Sequence, residues 1–362
     1  MASSTLSPIR SFGFALDIDG TLLRGSTLLP NTISTLQQFQ RDNIPFVLFT
    51  NSGGDLEASK AKKLSELLGT HISPKQVVLG HSPFAALVDG REDLRHKPIL
   101  VVGSGLNGDS EGPRRIAQSY GFENVYTLTD ILAACPAIWP NPHSYTDANV
   151  RQLPNNLQFR AILVFNNPLD WAPVLQIIIE LLLSRDGQLG TESSKNGNTE
   201  LPNDGFLQDN QPQVYFSSTD LSWNSEYPVP RLGLGSFRAA LEGTWKAFAG
   251  PNAKLNVVEL GKPSHIAFAF AETALEMWRR EMLMLEKGQE LLPLKKVFMV
   301  GDSPATDIRG ANDFVSPQGT IWDSILVKTG LWDGKSKVQY APSAAVEGIK
   351  AAVEYAIKNC GE

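Results

Sequence analysis

Short, unbroken apolar runs alternate along this chain with longer stretches of helical period. The run Phe12 to Leu16 ends at Asp17, and Phe46 to Phe49 ends at Thr50, with a helical pattern over Pro30 to Arg41 between them. Asn256 to Leu260 precedes Gly261-Lys262, and Val297 to Val300 precedes Gly301-Asp302. Runs of this length without polar alternation read as strands buried on both faces, the signature of a parallel sheet covered by helices. The predicted fold class is therefore α/β, a Rossmann-like doubly wound parallel sheet in which four strand ends carry polar residues to one crevice.

Between the second and third of these strands lies a long block with signals of its own. Ile99 to Val102, Ala161 to Phe165 and Val214 to Phe216 read as strands, and Arg114 to Tyr120 and Trp171 to Arg185 as helices. The block is an inserted domain. Within it, Asp186 to Gln213 is crowded with Gly, Asn, Ser, Asp and Gln, which predicts a mobile surface loop without chemistry. No repeat of solenoid period is present.

Composition narrows the classes. A chain of 362 residues exceeds the usual single-domain length, and 42% hydrophobic with 19% charged residues is ordinary for a globular protein. A net charge of -6 and a pI near 5.5 leave no basic face for a nucleic acid backbone. Cys135 and Cys360 are isolated, so neither a disulfide framework nor a zinc site is expected. Val174 to Leu183, interrupted by Gln176 and Glu180, falls short of a membrane span. Met1 to Phe14 is Ser-rich and free of acidic residues, as in a mitochondrial presequence, but its single Arg10 makes a disordered terminus the default.

Four motifs sit at the strand ends. In Asp17-Ile18-Asp19-Gly20-Thr21, Gly20 permits a sharp turn, and two carboxylates one residue apart repel unless a cation lies between them or one is protonated. One can then attack a phosphorus while the other protonates the leaving oxygen and later activates water. A solvated turn is the alternative, but by average residue usage this pattern arises by chance in roughly a few in a thousand chains of this length. In Thr50-Asn51-Ser52-Gly53-Gly54, a hydroxyl and loop N–H groups can cradle phosphate oxygens, or serve only as helix-cap chemistry. Lys262, followed by Pro263 and Ser264, can neutralise the nucleophile and a transferring phosphoryl group, or be a plain surface lysine. In Gly301-Asp302-Ser303-Pro304-Ala305-Thr306-Asp307, two carboxylates around a proline turn suit Mg2+; Asp302 could instead merely cap the following helix.

Together and in this order, the four motifs resemble those of the haloacid dehalogenase (HAD) superfamily. Arg24-Gly25, Pro30 and the pattern continuing through Ile308, Gly310 and Ala311 resemble subclass IIA, the NagD-like branch with a C2 cap. His81-Ser82-Pro83, Leu163 to Pro168 with Asp170-Trp171, Tyr215-Phe216-Ser217 with Asp220-Leu221, and Leu326 to Gly330 resemble the cat-eye-syndrome critical region protein five family, in a fungal-type form. The resemblance implies a discontinuous HAD core over 1–82 and 237–362 and a C2A-type cap over 83–236. It makes Asp17 nucleophile and metal ligand, and Asp19 general acid/base that offers its carbonyl to the metal. Thr50, Asn51 and Lys262 would hold phosphate, Asp302 would bind Mg2+, and Asp307 would bind it through water or orient Lys262. Ser52-Gly53-Gly54 and Ser303 depart from the usual subclass pattern, which loosens inference about substrate.

The expected function is magnesium-dependent hydrolysis of a small phosphate monoester through an aspartyl-phosphate. The alternatives are a phosphate-metabolite binder or scaffold with vestigial activity, and phosphoryl transfer to an acceptor other than water. Cap loops Asn166 to Trp171 and Ser217 to Trp223 are expected at the entrance, although Asp170 and Asp220 also read as turn residues. His81 falls at the hinge. The resemblance further implies a small phosphorylated metabolite as partner, a homodimer through the cap, and a mitochondrial or cytoplasmic location.

Overall fold

The computed structural model describes residues 10–105, 108–145, 149–223, 225, 227–285, 291–332 and 334–360. Most of the segment read as a presequence or disordered terminus, residues 1–9, lies outside that set.

Six parallel strands form the first sheet, in the order Ala344–Val346, Ile321–Val327, Lys296–Gly301, Phe12–Leu16, Phe46–Phe49, Val77–Val78. Every residue of Phe12–Leu16 and of Phe46–Phe49 is buried, as expected of strands without polar alternation. On one face, helices Thr32–Arg41, Glu57–Leu68 and Ile349–Asn359 contribute Leu36, Phe39, Leu64 and Val353 to the core. On the other, helix His265–Met282 lays down Phe268, Ala271 and Leu275 at helical spacing. Ser264 starts that helix by accepting the Ala267 N–H at 3.2 Å.

The inserted block builds a second parallel sheet, ordered Val257–Glu259, Gln213–Phe216, Ala161–Val164, Ile99–Val102, Val125–Tyr126. Helices Trp171–Leu183 and Leu234–Ala249 cover one face, and helix Gly112–Tyr120 the other. Two expectations change here. The strand before Lys262 belongs to the second sheet, and Phe237, Leu241 and Trp245 pack in its core, so residues 237–260 lie with the cap rather than with the first sheet. A single short apolar run cannot show which of two sheets it joins. The segment 186–213 is also not a bare surface loop. Phe206 is buried and meets the Trp245 ring edge-on at 5.7 Å, Asn196 Nδ2 donates to the Leu183 carbonyl at 2.8 Å, and Ser193 Oγ donates to Asp209 Oδ2 at 2.8 Å. Side-chain amides and hydroxyls satisfy its backbone where regular structure does not, so its composition misleads. No described helix is long and apolar enough to cross a membrane.

Candidate active site

The chain passes between the sheets at His81–Ser82 and again at Leu260–Pro263, and both crossings close on Ser217: a Cβ on Gly80 would lie 2.8 Å from the Ser217 carbonyl oxygen. A Cβ on Gly261 would lie 1.9 Å from the Ser217 carbonyl oxygen and 2.9 Å from Asn51 Oδ1, so only glycine permits this approach. Lys262 thus enters from the cap and reaches under the first sheet's strand ends.

Asp17 sits directly beyond its strand, where its N–H donates to the Val300 carbonyl at 2.9 Å and extends the pairing with Lys296–Gly301 by one residue. That register sets Asp17 beside Asp302. Gly20 turns the chain back at φ +90°, and a Cβ there would stand 2.1 Å from Asp302 Oδ2. Asp302 Oδ2 accepts the Leu331 N–H at 2.6 Å, while Thr329 Oγ1 donates to the Gly20 carbonyl at 2.6 Å. Thr329 and Leu331, at and just beyond the end of the Leu326 to Gly330 motif, therefore brace both acidic turns. Pro304–Ile308 forms a widened helical turn that swings Asp307 back, its Oδ2 accepting the Ser303 N–H at 3.0 Å. The side-chain bond of Asp302 is to Leu331 rather than to the start of the following helix, so the capping alternative does not hold.

Lys262 is 2% exposed, and its Nζ donates to Asp17 Oδ1 at 2.8 Å, Asp307 Oδ1 at 2.7 Å and the Phe49 carbonyl at 2.9 Å. Burial pulls the ammonium's pKa down, but Asp17 and Asp307 outweigh it and hold it above the ordinary lysine range. Asp17 is pushed well above the usual carboxylate range by burial; Lys262 opposes the shift, and Asp307, Asp302 and Asp19 add to it. Asp302 is raised likewise, by burial and then by the charge of Asp307.

Asp17, Asp302 and Asp307 each offer an oxygen within 4.8 Å of the others, all buried. Three hard oxygen donors that a single ammonium leaves under-neutralised fit a divalent cation such as magnesium.

On the opposite wall, Ser52 Oγ donates to Asp19 Oδ2 at 2.5 Å, and the Ser52 N–H donates to Thr50 Oγ1 at 3.0 Å. The Asn51 amide pairs with the Lys262 backbone, accepting from its N–H at 2.8 Å and donating to its carbonyl at 3.0 Å. All seven residues singled out from the motifs, Asp17, Asp19, Thr50, Asn51, Lys262, Asp302 and Asp307, line one crevice of about 160 Å³.

From the cap come Asp220, Ser222 and Trp223. Asp220 Oδ2 accepts from Asn51 Nδ2 and Ser218 Oγ, each at 3.0 Å, and burial raises its pKa against the pull of Lys262 and these donors. The two ambiguous aspartates thus divide. Asp170 caps helix Trp171–Leu183 by accepting the Ala172 N–H at 3.2 Å, whereas Asp220 reaches the crevice. Asn166 bonds within the cap, accepting the Ser104 N–H at 2.8 Å and donating to the Ser104 carbonyl at 2.6 Å. Sequence reasoning assigned no role to Ser52 and left Asp220 between an entrance loop and a plain turn, since a serine in a turn and an aspartate after Ser-Ser-Thr carry no signal of a partner far along the chain.

Two family models match, one described as haloacid dehalogenase-like hydrolase over residues 14–123 and one as HAD-hydrolase-like over 259–352. A mitochondrial hydrolase of Saccharomyces cerevisiae is 31% identical, covering 95% of each chain. A cardiolipin synthase (CMP-forming) / mitochondrial hydrolase fusion protein of Schizosaccharomyces pombe is 34% identical over 98% of this chain, which spans 54% of that longer relative. Among solved structures, glycerol phosphate phosphatase from Mycobacterium tuberculosis in complex with magnesium superposes with a TM-score of 0.53 at 17% identity, covering 95% of this chain and 77% of that one. With 31% identity over nearly its full length to a relative named hydrolase, and its motifs gathered in one crevice, the chain belongs to the haloacid dehalogenase-like hydrolases.

Proposed function

We propose that the chain hydrolyses a small phosphate monoester through an aspartyl-phosphate on Asp17. The observation that carries the reading is the buried bridge from Lys262 Nζ to both Asp17 and Asp307, which holds a carboxylate in place at the floor of a crevice lined with phosphate-sized donors. Among the described residues, Asp17 Oδ2 accepts one hydrogen bond, from the Thr21 hydroxyl at 3.5 Å, and is the oxygen placed to attack.

In the first step an Asp17 oxygen forms a bond to phosphorus while the ester P–O bond breaks, and Asp19 gives its proton to the departing alcohol. In the second, Asp19 takes a proton from water, the water oxygen bonds to phosphorus, and the bond from phosphorus to Asp17 breaks, releasing inorganic phosphate and restoring both carboxyls. Ser52, donating to Asp19, holds that carboxyl in place for both proton transfers. Thr50, the loop N–H groups and Lys262 receive the charge on the transferring group. Asp17 and Asp302 would hold magnesium, with the Asp19 carbonyl; when bound, the ion would offset phosphate charge and fix the substrate for in-line attack. Asp307 serves chiefly as the partner that orients Lys262. The names of the two relatives favour a mitochondrial setting.

The test is a screen of phosphate monoesters with magnesium, run beside Asp17→Asn. Phosphate release by the native chain, absent in the variant at unchanged thermal stability, is expected. Turnover of no ester together with tight retention of a phosphorylated metabolite would favour a binding protein instead, and full activity in Asp17→Asn would exclude the covalent route.

A further inference from the structure

Resting on the reading of the crevice as a phosphomonoesterase site, we infer that the alcohol released carries no negative charge and presents a hydrogen-bond donor, hydroxyl or ammonium, to Asp220 beside Trp223.

Five carboxylates line the crevice: Asp17, Asp19, Asp220, Asp302 and Asp307. Lys262 is the single cationic side chain among the described lining residues, and its Nζ is committed to Asp17, Asp307 and the Phe49 carbonyl. The nearby arginines are engaged elsewhere. Arg24 donates to the Thr329 carbonyl at 2.7 Å, and Arg231, paired across the hairpin with Trp223, lies over the Tyr227 ring at 4.4 Å. A carboxylate or second phosphate on the leaving group would therefore find no uncommitted cationic side chain among the described lining residues and would face Asp220.

Asp220 receives both of its side-chain bonds on Oδ2, and no described residue donates to Oδ1. That oxygen is an acceptor in the wall of the crevice. Trp223 is 48% exposed and lines the same wall, so its ring face is available to a carbon skeleton or a cation. Like charge close to a bound anion in a poorly solvated crevice discriminates about tenfold to a hundredfold in kcat/KM, and an unsatisfied acceptor penalises esters lacking a donor.

The experiment measures kcat/KM for the full chain with magnesium on glycerol phosphate, ethanolamine phosphate, propyl phosphate and phosphoglycolate, with p-nitrophenyl phosphate as reporter. Glycerol or ethanolamine phosphate should exceed phosphoglycolate by at least about tenfold and propyl phosphate by a smaller margin. Ethanolamine phosphate ahead, with the advantage lost in Trp223→Leu, identifies ammonium as the donor; glycerol phosphate ahead identifies hydroxyl. Asp220→Asn should narrow the gap to phosphoglycolate. Phosphoglycolate hydrolysed as fast as glycerol phosphate overturns the inference, as does a uniform loss on all esters in Asp220→Asn, which would make Asp220 only a support for Asn51. Reporter turnover without charge discrimination defeats this inference alone, whereas turnover of neither reporter nor any ester defeats the phosphatase reading.

Discussion

Lys262 Nζ lies 2.8 Å from Asp17 Oδ1, although 245 residues separate them and the lysine arrives from the cap's sheet rather than the nucleophile's. Fold stability and chemistry share this contact. Lys262→Met leaves Asp17 and Asp307 buried without their ammonium, which should cost about 3 to 5 kcal/mol of stability and lower kcat about 100- to 1,000-fold. Urea unfolding and steady-state kinetics on the variant check both effects; a stable, active variant would refute the role.

Magnesium should stabilise the folded chain as well as activate it, because Asp17, Asp302 and Asp307 converge only in the native fold. At about 100 times its dissociation constant the ion should add about 2.7 kcal/mol. Chelation should remove activity and lower the thermal midpoint together, with magnesium restoring both. In Asp302→Asn the magnesium-induced rise should shrink markedly, and an undiminished rise would place the ion elsewhere.

His81 is fully buried at the hinge, where its Nδ1 meets the Tyr120 hydroxyl at 2.7 Å and that hydroxyl donates to Glu57 at 2.6 Å. Burial lowers its pKa to about 4, against the opposing pull of Glu57 and Asp55. The unfolded chain, near 6.5, therefore binds the proton first as pH falls. This contribution to stability is complete above pH 6.5 and about 3 kcal/mol of it is lost by pH 4. Denaturant titrations at pH 7 and pH 4.5 should give a smaller decline in His81→Asn than in the native chain; equal declines would exclude His81 as a source of acid sensitivity.

Phe206 anchors the polar segment 186–213 against Trp245. Phe206→Ala should destabilise the cap by about 3 kcal/mol and speed proteolytic cleavage within the segment. A variant as stable and as protease-resistant as the native chain would mean that the segment adds nothing to the cap.

Much of the site was legible along the chain. Asp17, Thr50 and Asp302 each follow a run of buried strand residues, and in a parallel sheet all strand ends point the same way. Local order and adjacency therefore suffice to bring those three together. Lys262 was expected after a strand of the first sheet and follows one of the second, because Val257–Glu259 is a three-residue strand whose partner, Gln213–Phe216, cannot be chosen from its own residues. The segment 186–213 was misread for a similar reason: its hydrogen bonds run to Leu183 and Ser184, which become partners only after helix Trp171–Leu183 has packed.

The amino-acid sequence alone determined the strand rhythm, the presence of an inserted block and the residue types carried to the strand ends, since burial on both sheet faces and the chemistry of carboxylates and lysine are properties of local residues. Which sheet carries Lys262, that Asp220 rather than Asp170 enters the crevice, and that Ser52 holds Asp19 were decided only by the packing of cap against core. Those contacts join side chains far apart along the chain across a few ångströms, and no local preference for helix, strand or turn specifies them.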